Sequence, residues 1–128
     1  LHLDRHPLLD SGPWEYHFDW QNHFMLFDIN GGLLMDGDRV YFRTADGRHF
    51  VMAVDGGGSG VNALSRQPHE YETWVITRVA GPGEIRSGDA IALRAHRGQL
   101  LMAVNGGGGA LMAGSTWINF WETFYLTY

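Results

Sequence analysis

Residues 37–78 read GDRVYFRTADGRHFVMAVDGGGSGVNALSRQPHEYETWVITR, and residues 88–128 read GDAIALRAHRGQLLMAVNGGGGALMAGSTWINFWETFYLTY. These are two copies of one segment, in register apart from a single deletion. Gly37-Asp38 falls on Gly88-Asp89, Arg43 on Arg94 and Gly47 on Gly98. Met52-Ala53-Val54 falls on Met102-Ala103-Val104, the glycines 56–58 on 106–108, and Glu72-Thr73 on Glu122-Thr123. A repeat of about forty residues marks a supersecondary unit that cannot bury its own apolar face and must pack against its siblings.

Each copy alternates apolar and polar residues with the period of a half-buried strand. Val40 and Phe42 match Ile91 and Leu93; Phe50, Met52 and Val54 match Leu100, Met102 and Val104. Val61 and Ala63 match Leu111 and Ala113, and Trp74 and Ile76 match Phe124 and Leu126. Turn-forming clusters (ADG, AHRG, DGGG, NGGGG) separate the runs, and no stretch carries a sustained helical period. The unit is therefore four short strands, and the chain has room for three such units, over about residues 1–36, 37–87 and 88–128. The first matches its siblings loosely. Trp14-Glu15 can be laid on Trp121-Glu122, and NHFMLFDINGG resembles the middle of a unit (RHFVMAVDGGG). Repeat one is thus either degenerate or truncated.

A GD pair at the start, a glycine-rich second loop and an aromatic–Glu pair before the last strand resemble the fascin-like β-trefoil. The residues that carry the resemblance are GDRVYFRTADG, AVDGGG and YETW in one copy and GDAIALRAHRG, AVNGGGG and WETF in the other. It implies an all-β trefoil of twelve strands, with Val40, Phe42, Met52, Val54, Ile91, Leu93, Met102, Val104 and Leu126 inside the barrel. In that superfamily such domains stand beside glycoside hydrolases as carbohydrate-binding modules, and fascin itself binds actin. The QxW signature of ricin-type trefoils is absent.

Composition narrows the function classes. Nine basic residues, all Arg, oppose fourteen acidic ones for a formal net charge of −5. No basic stripe is available to neutralise phosphates, so neither nucleic acid nor an anionic membrane is expected as a partner. Without Lys there is no Schiff-base chemistry and no phosphate loop of the GK[ST] type. Without Cys there is no disulfide, thiol nucleophile or thiolate metal site. The seven His show no metal-ligand spacing. No cofactor, no metal and no catalysis are expected.

The aromatic–carboxylate pairs Trp14-Glu15, Tyr71-Glu72 and Trp121-Glu122 are the candidate binding groups. A ring offers a platform to the C–H face of a sugar, and a carboxylate accepts hydrogen bonds from its hydroxyls. The competing reading has the ring closing a hairpin and the Glu bonding turn amides. Trp117, in the polar stretch GSTWIN, is a further platform, and Asp55 and Asn105 lead the glycine loops. The expected function is non-catalytic binding of a glucan-type polysaccharide or oligosaccharide through shallow sites, one per repeat. A secreted setting and an attached glycoside hydrolase domain go with it. The domain is expected to be a monomer, or a dimer if repeat one lacks strands. The alternative is a fascin-like protein-interaction module.

Overall fold

The computed structural model describes residues 8–10, 24–44, 47–58, 60–103, 111–118 and 122–127. Ten strands form one continuous sheet in this part of the chain. They are β1 (Leu8–Asp10), β2 (Phe24–Asp28), β3 (Arg39–Thr44), β4 (Phe50–Ala53), β5 (Val61–Ser65), β6 (Trp74–Arg78), β7 (Ala90–Arg94), β8 (Leu100–Ala103), β9 (Leu111–Ser115) and β10 (Phe124–Thr127). Six of them run round a barrel: β1 pairs with β10, β10 with β7, β7 with β6, β6 with β3 and β3 with β2. β2 lies beside β1, so that the ring is nearly closed. The antiparallel hairpins β4–β5 and β8–β9 spring from β3 and β7. This is a β-trefoil.

Pairing register shows what each repeat contributes. Within repeats two and three the first strand pairs with the last, Val40 with Trp74 and Ile91 with Phe124. Between repeats, the last strand pairs with the first strand of the next: Leu26 with Phe42, Ile76 with Leu93 and, across the chain ends, Leu126 with Leu9. β1 and β2 therefore occupy the first-strand and last-strand places of repeat one. The expectation that residues around Phe24 are the middle of a unit is corrected by this register, because β2 is the counterpart of β6 and β10. Residues 11–23 join the two barrel strands of repeat one, less than half the length of 45–73 and 95–123 in the siblings.

The core is built from alternate residues of the barrel strands. Leu26, Val40, Phe42, Trp74, Ile76, Ile91, Leu93, Phe124 and Leu126 are buried together. Each such side chain stabilises the fold by roughly 1.5–3 kcal/mol relative to exposure. The Trp74 indole N–H is also satisfied, donating to Val51 O at 3.3 Å. The strict alternation expected for the hairpin strands does not hold. Met52, Val54 and Met102 are only half-buried, whereas Ala53, Leu100 and Leu101 are buried. The pairing of these hairpins is irregular as well: β5 carries one extra residue between Asn62 and Ser65, and β9 one between Ala113 and Ser115. Val104 lies outside the described residues.

The connections 29–38 and 79–89 lie at the end of the barrel away from the hairpins, and the buried Ile85 packs into the core from there, its amide donating to Leu34 O at 2.8 Å. The GD pairs close these turns: Asp38 Oδ2 accepts from Met35 N at 2.9 Å, and Asp89 Oδ2 from Arg86 N at 2.8 Å. The two turns differ in one place. Arg78 donates to Asp89 Oδ2 at 3.2 Å. The barrel position equivalent to Arg78 is Asp28, which faces Asp38. Two ionised carboxylates have no donor to offer each other, and Asp28 Oδ2 is buried without one.

Candidate functional site

Trp117 is the most exposed large apolar residue described, at 76 %. It follows β9 on a turn held by Ser115, whose hydroxyl donates to Trp117 O at 3.1 Å and accepts from Trp117 N at 3.4 Å. The same turn follows β5, where the Ser65 hydroxyl donates to Gln67 O at 2.9 Å. A serine side chain closing on the backbone two residues ahead is a local, sequence-encoded brace. It fixes the backbone beneath the indole, so an exposed ring stands on a constrained base. Ile118 beside it is exposed, and Gln67 and Pro68 hold the equivalent places in repeat two.

The aromatic–carboxylate pairs take a different role. Glu72 is 4 % exposed, and its Oε1 accepts from the His69 amide at 2.6 Å across the 3-10 turn Glu70–Glu72. Glu122, its counterpart, is 4 % exposed as well. Neither carboxylate stands on the surface, where a shallow sugar site needs it. The acid is there as the capping acceptor of the turn into the last strand, a charge-assisted bond to the His69 amide. Tyr71 is half-buried, with its ring 5.9 Å from the His96 ring and also against Gly56. Trp14, Glu15, Trp121 and Asn105 lie outside the described residues.

Glycines 56–58 join repeat two to repeat three. A Cβ on Gly56 would come within 3.0 Å of Tyr71 Cε1 and 3.2 Å of Arg97 Cγ, and one on Gly57 would collide with Gln99 Oε1. Gly56 O accepts from Arg97 N at 2.7 Å, and Gly58 N donates to Ala113 O at 2.6 Å. All three have positive φ, between 80° and 134°, a backbone open to glycine at little cost. The loop thus serves interlobe packing and hairpin geometry together. Asp55, at its head, is exposed and left-handed with φ 56°, a conformation that Asp tolerates better than most side chains.

One group of residues was not singled out by sequence reading. A cleft of about 300 Å³ is lined, among the described residues, by Arg48, His49 and Arg66. Arg48 and His49 sit on the turn between β3 and β4, and Arg66 follows β5. The one signal in the sequence was the deletion between the copies. Thr44 N donates to His49 O at 2.8 Å just as Ala95 N donates to Gln99 O at 2.7 Å. Arg48 is therefore the residue that repeat three lacks.

No family model matches the chain, and no curated protein matches it. Solved structures do. The SDF2-like protein from Arabidopsis thaliana superposes with a TM-score of 0.67 at 9 % identity, over 85 % of this chain and 71 % of that one. The designed three-fold symmetric protein ThreeFoil gives 0.67 at 16 % identity, over 95 % of this chain and 91 % of that one. A chain of the S. cerevisiae protein O-mannosyltransferase Pmt1–Pmt2 complex bound to the sugar donor gives 0.68 at 16 % identity, over 88 % of this chain but 20 % of that one. Identities this low show the shared trefoil fold alone.

Proposed function

We propose that this trefoil is a non-catalytic carbohydrate-binding module of the fascin-like type, gripping a polysaccharide chain at its third repeat. The observation that carries the reading is the Trp117 indole, 76 % exposed on a serine-braced turn. A flat apolar ring with one N–H donor suits the mixed C–H and hydroxyl face of a pyranose. Burial of Glu72 and Glu122 takes two of the three candidate carboxylates off the contact surface. Repeat two has Gln67 where repeat three has Trp117, so one site dominates. The S. cerevisiae complex that shares the fold over part of one chain is itself bound to a sugar donor, and sugar as the ligand class of this chain remains part of the proposal. A secreted setting beside a glycoside hydrolase domain belongs to the same proposal.

Titration of glucans against intrinsic fluorescence and by calorimetry tests it. Trp117→Ala is expected to weaken binding about tenfold or more, as for an aromatic anchor worth over 1 kcal/mol, with the melting temperature unchanged. Full affinity in Trp117→Ala sinks the assignment. A second reading, protein docking, rests on Ile29, Leu33, Met35 and Val79, exposed on the two connections at the opposite end of the barrel. Those connections are tied by Asp36 N to Gly83 O at 2.9 Å and by the Met35–Glu84 bridge. Absence of binding to every glucan, galactan and chitin tested favours it.

A further inference from the structure

We propose that the cleft of Arg48, His49 and Arg66 is a subsite for an oxyanion carried on a sugar, a uronate carboxylate or a sugar sulfate, so that the ligand is an acidic polysaccharide. The inference rests on the carbohydrate-binding reading and adds the charge of the ligand. Two guanidinium groups and an imidazole line one cleft of about 300 Å³, the order of volume that suits one small-ligand group. Arginine presents a planar fork of donors that matches an oxyanion in two-point geometry.

The three residues that line the cleft are peculiar to repeat two when it is set against repeat three. Repeat three has Gln99 in place of His49, Thr116 in place of Arg66 and no residue in place of Arg48. All three departures from the sibling bring a basic side chain to the same hollow. None of the three carries a core role. Arg48 and Arg66 are exposed and His49 is half-buried. A third guanidinium stands behind the turn. Arg43 lies over the Phe27 ring at 4.9 Å, its Nε is buried without a hydrogen-bond partner, and it lies 3.9 Å from a Cβ built on Gly47. In a chain of net charge −5, such a local positive basin is focused by its low-dielectric walls and steers a polyanion to one place. Asp46, the nearest acidic residue in sequence, lies outside the described residues.

The test compares wild type, Arg48→Gln/Arg66→Gln and Trp117→Ala against laminarin, polygalacturonate and dextran sulfate, with free glucuronate and inorganic sulfate as small probes followed by NMR shifts of the His49 ring. Wild type is expected to prefer an acidic polymer over laminarin. The double variant should lose about tenfold affinity for it, as two exposed charge contacts allow, and keep laminarin binding unchanged. Raising salt should weaken the acidic polymer only. Polygalacturonate and dextran sulfate distinguish carboxylate from sulfate. Equal binding of acidic polymer by wild type and double variant overturns the proposal while leaving the carbohydrate reading in place. Glucuronate shifting His49 in a protein that binds no polymer supports the anion subsite and overturns the polysaccharide module. Sulfate shifting His49 while neither glucuronate nor an acidic polymer binds overturns the sugar assignment.

Discussion

Asp28→Asn is expected to stabilise this protein at neutral pH. Burial raises the Asp28 carboxyl above its ordinary value, and the adjacent Asp38 carboxyl raises it further, against the opposing backbone amides of Asn30 and Gly31. A group with a raised folded pKa takes up a proton on folding. Its contribution is full below the unfolded pKa and is lost as pH rises through the folded value. As pH rises the Asp28 carboxylate therefore forms at a cost, under burial and beside Asp38. For a partly solvated pair this costs about 1 kcal/mol, equivalent to about 3–6 °C in Tm for a domain of this size. Asn keeps the acceptor for Asn30 N, which now bonds Asp28 Oδ1 at 3.0 Å, and adds a donor toward Asp38. Thermal unfolding followed by circular dichroism from pH 3 to pH 8 should show the two proteins converging at acid pH and separating as pH rises. A Tm difference that does not change with pH, or a variant less stable at pH 7, refutes the reasoning. Asp89 makes the opposite case. The Arg86 amide first, and then the Arg78 guanidinium, hold its carboxyl below the usual carboxylate range. Its contribution is present above the unfolded pKa and lost as pH falls. Asp89→Asn should therefore lower Tm at pH 7 and converge with wild type in acid.

Glu72→Ala removes the acceptor of the His69 amide and empties a buried site and should cost about 1–3 kcal/mol, read as a fall in denaturation midpoint; an unchanged midpoint with lost sugar binding would return Glu72 to the binding surface. Gly56→Ala forces a Cβ against Tyr71 and Arg97 at φ 80° and should destabilise by about 1–3 kcal/mol. Combining it with Tyr71→Ala should recover part of that loss, and strict additivity in the double variant would show that the loop and the ring do not meet.

Most of the fold could be read from the sequence because its determinants are local. The duplicated period, the alternation in β3, β6, β7 and β10 and the glycine-marked turns each depend on residues a few positions apart. They were enough for four-stranded all-β units and for the inward face of the barrel strands, and the resemblance to the fascin-like family implied the trefoil. Two features of the fold needed the tertiary structure. The one-residue offsets in the β4–β5 and β8–β9 pairing and the burial of Ala53 and Leu101 rather than Met52 and Met102 leave no local mark in an apolar run. β2 resembles a mid-unit strand in composition, and only its pairing with β3 shows it to be a last strand. The candidate site divided along the same line. Exposure of Trp117 followed from its polar neighbours, which is a local signal. Burial of Glu72 follows from the fold, in which its carboxylate caps the turn into the last strand. The cleft exists because the chain folds Arg66 back beside Arg48 and His49, a meeting that spacing along the sequence does not encode.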